Sequence, residues 1–536
     1  MVSGGGASNP GCIVYNQGAK PDDANVMALA LSLPPLDARP ANPPETRPAR
    51  VQPWLEETLK RDPIDAAGVI GDALAATNRV AMSESRRLEL AERYYSTALT
   101  LWPNLERHFA RAQHPLTGDA LAAAKAALIL AAELATAYKH LLAHEAEKRI
   151  LLSGNRLLVA LIHRCLQCTA RILINSYQSY APVPPRTWHD AHAIYLFAHQ
   201  RNLQMTPIAS DTAEATPERH YVQALLLALA NPYGFMPGQL GQVVQYLQDH
   251  AHWAHITDVA PVHRLAKAVA IIPVGHDFPP FAANKGGNVE GSKLFLLTFD
   301  LAFQIQEELR GLDAGGLPPP GVGNDQTARA EYVAWLRRLL RQWAIPPARQ
   351  FNRLPSRARV VMCAGLAGVW QYSRGVHAVV NVPSGLPTMN ACQVINHTPA
   401  GYALRQIDAV HAPLRIGDLI ALRVEGRNVL QVAMVRWFRN TLRGSGLEFG
   451  CELLTDNPQA AAARSEESPN GALLPAVVLP EDGEDGSAPM VLVPAKSFEI
   501  EQAIALQRGD RSNTAVLTKL VEQGPGFELY EYIAVS

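Results

Sequence analysis

The sequence has few cysteines and almost no net charge, and both shortages exclude classes of protein. Six cysteines among 536 residues are too few for a disulfide scaffold, so a reducing compartment is expected. The 48 basic and 49 acidic side chains give a formal net charge of -1. A general nucleic-acid binder needs a strong basic field, so this composition disfavours that class.

Targeting and membrane signals are also missing. The first residues, Met-Val-Ser-Gly-Gly-Gly, contain no basic region followed by an apolar core, so we expect no signal peptide. The most apolar stretch, Ala120–Tyr138, contains Lys125 and Glu133 and predicts a buried helix rather than a membrane span. A cytoplasmic location is therefore predicted.

No catalytic or metal-binding motif stands out. The glycine-rich Gly286–Gly291 lacks the Lys-Ser/Thr of a phosphate loop, and no dinucleotide fingerprint or nucleophile elbow is present. Cys165 and Cys168 form a lone CxxC in an apolar helix, which indicates core thiols. The histidines from His250 to His263 lack a metal-ligand spacing. We therefore predict a non-enzymatic protein without a metal or cofactor.

The first half of the chain is predicted to be all-α. Residues 1–50 are rich in Gly, Pro and Ala and predict a disordered tail. Helical periodicity over 51–312 predicts a bundle or solenoid, interrupted by a short β insertion near 267–297. A Gly- and Pro-rich linker over 313–324 precedes a connecting helix over 325–345, capped by Asn324 or Asp325.

The second half is predicted to be β-rich, so the fold class is α+β and multidomain. Short apolar runs separated by glycine turns over 346–455 predict a small antiparallel barrel, with 365–390 as an insertion. A polar linker is expected over 456–472. Further strands over 473–536 predict a second β-domain or an extension of the first.

Arginines are concentrated just before the predicted barrel and in its first residues. Between Arg337 and Arg359 there is no acid and there are seven arginines: 337, 338, 341, 349, 353, 357 and 359. A guanidinium binds phosphate bidentately and can reach guanine O6 and N7 together. This local excess predicts an anionic partner, and a purine carrying phosphate offers acceptors for both kinds of contact.

A polar turn inside the β region is the second candidate feature. Asn396 and Thr398 supply short polar side chains, and Gly401 permits a positive φ or close approach of a ligand to the backbone. A barrel that brings this turn beside the arginines would form a small guanine-nucleotide site.

These two motifs in this order resemble the PilZ family, which binds the second messenger cyclic di-GMP. Arg349-Gln-Phe-Asn-Arg353 matches the family's Arg-x-x-x-Arg entry, with Arg353–Arg357 as a lower-ranked frame. Asn396-His-Thr398-Pro-Ala-Gly401 matches the Asp/Asn-x-Ser-x-x-Gly motif with threonine for serine, and Val435-Arg436-Trp437 is similar to a later strand. The resemblance implies these ligand-binding residues: Arg349, Arg353, Arg357, Asn396, Thr398, Gly401 and Arg436.

The layout of the whole chain is similar to that of the large PilZ receptors of the FimW kind, which are linked to type IV pili. The resemblance implies a receptor that converts the level of cyclic di-GMP into a protein–protein interaction through the helical domain, in pilus, motility or biofilm control. Two alternatives stay open: a ligand-free scaffold with a degenerate PilZ domain, and an RNA or DNA binder using the arginine stretch.

Overall fold

A helical domain is followed by two β-barrels in this computed structural model. The structure describes residues 29–148, 155–208, 215–261, 267–285, 291–323, 325–345, 351–374, 388–407, 414–427, 429–440, 446–480, 488–509 and 511–535. The order of domains agrees with the predicted α+β class.

The helical domain is built around long antiparallel helices with a shared apolar core. Its helices are α1 (Pro48–Thr58), α2 (Pro63–Asn78), α3 (Glu84–Phe109), α4 (Gly118–Ala146), α5 (Arg156–Gln178), α6 (Thr187–Gln200), α7 (Pro217–Leu229), α8 (Gln239–His250), α9 (Phe299–Asp313) and α10 (Gln326–Trp343). Helices α4 and α5 are long and apolar enough to cross a membrane, but 50% and 61% of their apolar windows are buried inside the molecule.

Helix starts follow the capping chemistry of the sequence. The Asp62 carboxylate caps α2 by accepting from the Ile64 amide at 2.9 Å, and Pro63 occupies the first turn. Asp325 caps α10 by accepting from the Ala328 amide at 2.9 Å. Asp325 is one of the two residues that the sequence offers as this cap.

The segment before α1 differs from the tail expected over 1–50. Residues 31–34 are half-buried against the helices, and Ser32 has polar partners there. Its amide and hydroxyl donate to the Asp190 carboxylate at 3.2 and 3.1 Å, and Lys139 reaches the same carboxylate at 2.9 Å. The Asp190 side chain is only 5% exposed, so this contact ties the segment to the interior of the domain.

A small antiparallel sheet completes the helical domain where the sequence predicts a β insertion. Its strands are β1 (His255–Thr257), β2 (Val269–Ile272), β3 (Phe281–Ala282) and β4 (Leu294–Leu297), in the order β1-β4-β2-β3. Helix α10 lies beside this sheet. The hydroxyl of Thr298, which follows β4, donates to the carbonyl of Trp343 at the end of α10 at 2.5 Å.

The first barrel is antiparallel, as the sequence predicts. Its strands are β5 (Leu354–Pro355), β6 (Arg359–Ala364), β7 (Asn390–Thr398), β8 (Gly401–Gln406), β9 (Leu419–Val424), β10 (Leu430–Asn440) and β11 (Leu447–Thr455). The order is β5-β7-β6-β9-β10-β11-β8, and pairing of β7 with β8 closes the sheet. Strand β5 is an extra partner on the last residues of β7.

The second barrel is closed and begins earlier than expected. Its strands are β12 (Gln459–Ser465), β13 (Leu474–Leu479), β14 (Met490–Pro494), β15 (Ala503–Arg508), β16 (Arg511–Gly524) and β17 (Phe527–Val535), in the order β12-β13-β14-β17-β16-β15 with β12 paired to β15. Strand β12 lies in the predicted linker 456–472. Its run Ala460–Ala463 shows no alternation of apolar and polar residues, because alanines occupy both faces of the strand.

A short helix joins the two barrels. Helix α11 (Leu366–Ser373) lies in the predicted insertion 365–390, of which 375–387 are outside the described residues. Its Trp370 is 1% exposed and donates its indole N–H to the Ala461 carbonyl of β12 at 2.6 Å. The same core cluster contains Met434 of the first barrel and Phe527 of the second, so the barrels share apolar packing.

Trp370→Ala is expected to lower the free energy of unfolding by about 3–5 kcal/mol, because it opens a cavity between the barrels and leaves the Ala461 carbonyl unpaired. Urea unfolding followed by far-UV circular dichroism measures the change. Phe299→Ala is the control, since Phe299 is 58% exposed. Equal loss in both variants would contradict the shared core.

The helical domain packs on the first barrel through a buried contact. His114 lies 4.5 Å from the Tyr180 ring and 4.9 Å from the Phe438 ring, centroid to centroid. The Asn440 amide donates to His114 Nδ1 at 2.7 Å and to the Ser179 carbonyl at 2.9 Å. All five side chains are buried, so this docking contact is part of the interior of the protein.

Candidate ligand-binding site

The pairing of β5 with β7 sets the position of the arginine entry. Pro355 lies opposite Asn396 and Leu354 opposite His397 in an antiparallel register. Arg353 immediately precedes β5, so its backbone is held next to the last residues of β7. The two motifs singled out in the sequence therefore meet at one place on the barrel.

The polar turn is a tight hairpin between β7 and β8. Thr398 pairs with Gly401 across the two-residue loop Pro399-Ala400, and the Thr398 hydroxyl reaches the Gly401 carbonyl at 3.5 Å. A Cβ atom at Gly401 would lie 2.1 Å from the Cys451 carbonyl oxygen of β11. Glycine is required here because β11 approaches this closely. The close contact at Gly401 is therefore with the protein's own strand β11 and not with a ligand.

Arg353 and Asn396 line one cavity of about 570 Å³ between the first barrel and the helical domain. Such a volume is within the usual range for a small-molecule site. The barrel also contributes Trp437 and Arg439, and the helical domain contributes a wall that contains Tyr233 and Phe281. The Arg353 side chain is exposed, and among the described residues no hydrogen-bond or ion-pair partner is found for it or for the Asn396 amide.

A charge cluster forms one wall of this cavity. Glu448 of β11 accepts from Arg405 of β8 at 2.6 Å and from Arg439 of β10 at 2.7 Å. Burial alone would raise the pKa of Glu448, but these two hydrogen bonds outweigh burial and hold the pKa below its usual value. One carboxylate is shared by two guanidinium groups, so the cluster keeps an excess positive charge, and Arg353 adds to it.

Trp437 presents a half-buried ring to the cavity. A Cβ atom at its cross-strand partner Gly450 would lie 1.9 Å from the indole Nε1, so the ring occupies the space that a side chain at 450 would fill. Trp437 therefore gives the cavity an aromatic surface on which a planar ligand can stack.

Thr398 lies at a different cavity. With His397, Tyr402 and Arg427 it lines a second space of about 530 Å³. This space is at the end of the first barrel, where the β7–β8 hairpin, the β9–β10 turn and the end of β11 meet. The two halves of the predicted polar motif therefore line neighbouring cavities, with Asn396 on one and Thr398 on the other.

The remaining predicted site residues are placed apart from these cavities. Arg436 pairs with Glu452 at 2.6 Å and with Glu522 of the second barrel at 3.0 Å, so its guanidinium joins the two barrels and does not line either cavity. Arg357 is exposed and lines neither cavity. Arg349 lies outside the described residues.

The fold adds residues to the site that the sequence does not indicate. Arg439 could have been found from its place two residues after Trp437, because alternate residues of a strand share a face. Tyr233 and Phe281 belong to the helical domain and carry no local signal that ties them to the barrel.

The discounted cysteines and histidines stay outside the site. Cys165 and Cys168 are buried in α5, and burial raises the pKa of the Cys168 thiol to about 12. His250 stacks on Tyr246 with ring centroids 3.9 Å apart. Across the described ranges, no group of three or more His, Cys, Asp or Glu is arranged to hold a metal ion.

Comparison with protein-family models gives three matches in the same order as the three domains. The model described as the N-terminal domain of the cyclic-di-GMP receptor FimW matches residues 49–261. The FimW middle PilZ domain matches 377–460, and the FimW C-terminal β-barrel domain matches 460–535. Together they cover more than two thirds of the chain. The PilZ match begins after the arginine entry.

One curated relative is similar over nearly the whole length. The protein called "Cyclic-di-GMP receptor FimW" from Pseudomonas aeruginosa is 21% identical over 568 residues, covering 91% of this chain and 90% of the relative. No solved structure matches this chain.

Proposed function

The chain belongs to the FimW family of PilZ-domain receptors, and from that premise we propose that it binds cyclic di-GMP in the cavity that Arg353 and Asn396 line. The observation that carries the proposal is the meeting of these two side chains, neither of which has a partner among the described residues, on one wall of a cavity. A guanidinium and an amide can together satisfy a phosphate and the edge of a guanine.

The charge of the cavity supports a ligand with two phosphates. Arg353 and Arg439 line the cavity, and Arg405 adjoins it through its bond to Glu448; the three guanidinium groups carry three positive charges, and Glu448 returns one negative charge. An excess of two positive charges matches a cyclic dinucleotide, which carries two negative charges. A neutral nucleoside would leave this charge without a counterpart.

We assign different roles to the other predicted residues. Arg349, four residues before Arg353, is proposed as the second guanidinium of the entry. Thr398 and Gly401 shape the hairpin that holds Asn396 in place. Arg436 is proposed to fix the second barrel against the first, because both of its partners are acids. Arg357 would bind the ligand only if Arg353–Arg357, the lower-ranked frame, were the arginine entry.

The output is proposed to be a protein–protein interaction and not a chemical step. A cytoplasmic location fits the buried cysteines that form no disulfide among the described residues, which are Cys165, Cys168, Cys363, Cys392 and Cys451. The helical domain is the proposed docking surface for a partner, with the control of type IV pili as the process that the domain layout favours.

Calorimetric titration of the full-length protein with cyclic di-GMP tests the proposal. Saturable binding that cyclic di-AMP does not reproduce is expected, because a guanidinium can donate to both O6 and N7 of guanine, whereas adenine carries an amino donor in place of O6. The split of Asn396 and Thr398 between two cavities favours one rival, a scaffold with a degenerate site. No heat at ligand concentrations up to the millimolar range would establish that rival. Binding of long oligonucleotides with a steep salt dependence would instead indicate a nucleic-acid binder.

A further inference from the structure

We propose that the helical domain carries a second binding site, which takes a small, uncharged and largely apolar molecule with a carbonyl group. The site is a cavity of about 310 Å³ between α3, α5, α7 and α8. Its described lining residues all belong to the helical domain, and they differ from those of the cavity that Arg353 and Asn396 line. This inference therefore does not rest on the binding of cyclic di-GMP.

Apolar side chains from all four helices form most of the surface of the cavity. They include Tyr95, Leu99 and Trp102 of α3, Ile174 of α5, Leu227 of α7 and Leu247 of α8. The three positions on α3 are four and three residues apart, so they share one face of the helix. Leu99 is 52% exposed, so the cavity opens to solvent beside it. A concave, mostly apolar cavity of this volume is typical of a site for a small molecule.

Two buried N–H groups at this cavity find no hydrogen-bond partner in the part of the chain that the structure describes. They are the indole Nε1 of Trp102, a residue that is 5% exposed, and the guanidinium Nε of Arg171. The two side chains are in contact, because the Arg171 Cζ lies 4.8 Å from the centroid of the Trp102 ring. An unpaired buried donor costs free energy, so a ligand that brings an oxygen acceptor to these groups is favoured.

The charges around the cavity favour an uncharged acceptor. The Arg171 guanidinium is already paired with Glu106, so a carboxylate or phosphate would meet that acid as well as the arginine. His220 also lines the cavity, and burial lowers its pKa to about 4, so its ring is neutral at physiological pH. A carbonyl oxygen has two lone pairs and can accept from both unpartnered donors without adding a charge.

The first test titrates the full-length protein with the fluorescent naphthyl ketone prodan, whose emission shifts to shorter wavelength in an apolar site. We expect saturable binding. Ala170→Leu should weaken it by about 5-fold or more, because Ala170 lines the cavity and the larger side chain fills it. Ala122→Leu is the matched control, since Ala122 is exposed on α4 and does not line the cavity. It should leave the affinity within about twofold.

The second test identifies the chemistry of the ligand by displacement of prodan. Three competitors share one ring system: acetonaphthone has a carbonyl, ethylnaphthalene has no acceptor, and naphthoate is an anion. Naphthoate should compete about 10-fold less well than acetonaphthone, because a buried charge without a partner is costly. Trp102→Phe removes the indole N–H and keeps an aromatic ring. It should lower the affinity for acetonaphthone relative to ethylnaphthalene by about 3- to 10-fold, the loss of one neutral hydrogen bond.

Each outcome decides one part of the proposal. Wild-type protein that does not bind prodan saturably, or equal affinity in Ala170→Leu and Ala122→Leu, would overturn the site. Naphthoate that competes as well as acetonaphthone would overturn the uncharged ligand, and an unchanged ratio in Trp102→Phe would overturn the carbonyl contact. The competition with wild-type protein stands even if a variant does not fold. Loss of cyclic-di-GMP binding is a separate result, because that ligand is assigned to another cavity.

Discussion

Arg353→Ala is expected to weaken cyclic-di-GMP binding by about 10- to 150-fold, which corresponds to the loss of one charge-assisted pair of about 1.5–3 kcal/mol. Two features make this side chain the most consequential in the site. It precedes a strand that pairs with the Asn396 end of β7, and no described residue offers it a competing partner. Its guanidinium is thus held at the cavity without being neutralised.

Titration calorimetry of Arg353→Ala beside two other arginine variants makes the prediction specific. Arg357→Ala should change affinity little, since Arg357 is exposed and lines neither cavity. Arg511→Ala removes an exposed charge of the second barrel and controls for general electrostatics. If Arg357→Ala lost affinity and Arg353→Ala did not, the second frame of the arginine entry would be the right one.

Local chemistry explains why much of the fold could be predicted from the sequence. The cap at Asp325 and the β9 strand Leu419–Val424 are signalled by residues within one turn or one strand. The sequence also led to the expectation that the segments of Arg353 and Asn396 lie close together, and the pairing of β5 with β7 places them so. Such features depend on neighbours in the chain, which a sequence displays directly.

The parts that could not be predicted depend on contacts between distant segments. Strand β12 is alanine-rich and polar at its ends, so only its pairing with β13 and β15 reveals it as a strand. The surroundings of Trp437 depend on the missing side chain at Gly450 and on the helical-domain residues that line the same cavity. Tyr233 is about two hundred residues away from Trp437 in the chain, and no spacing rule connects them.

The helical domain is expected to lose stability steeply as the pH falls from about 6.5 towards 4. Burial lowers the pKa of five of its histidines to about 3 for His163 and to about 4 for the others, which are His114, His140, His192 and His220. In the unfolded chain these groups titrate near 6.5. Between those limits the unfolded state binds more protons, so protonation favours unfolding.

Burial is the reason why these rings resist protonation, and hydrogen bonds set the tautomer of the neutral ring. His192 donates from Nε2 to the Phe278 carbonyl at 2.8 Å, so in the neutral ring Nδ1 accepts from the Tyr221 hydroxyl at 2.5 Å. His163 and His220 face each other with their Nε2 atoms 2.8 Å apart, so one must accept from the other. If a second proton bound to this pair, both Nε2 atoms would carry a hydrogen, and neither could accept from the other.

The linkage between protonation and folding gives the size of the pH effect on the free energy of unfolding. Each histidine costs up to about 1.4 kcal/mol per pH unit below its unfolded pKa, so five cost at most about 7 kcal/mol per unit. A typical domain has about 5–15 kcal/mol of stability, so unfolding is expected between about pH 6 and 4.5.

Urea unfolding at a series of pH values measures how steeply the free energy of unfolding changes with pH. His192→Gln should reduce it by about one proton, and His252→Ala, at an exposed position, should leave it unchanged. A free energy of unfolding that stayed constant from pH 7.5 to 5 would mean that these rings are open to water in the folded protein.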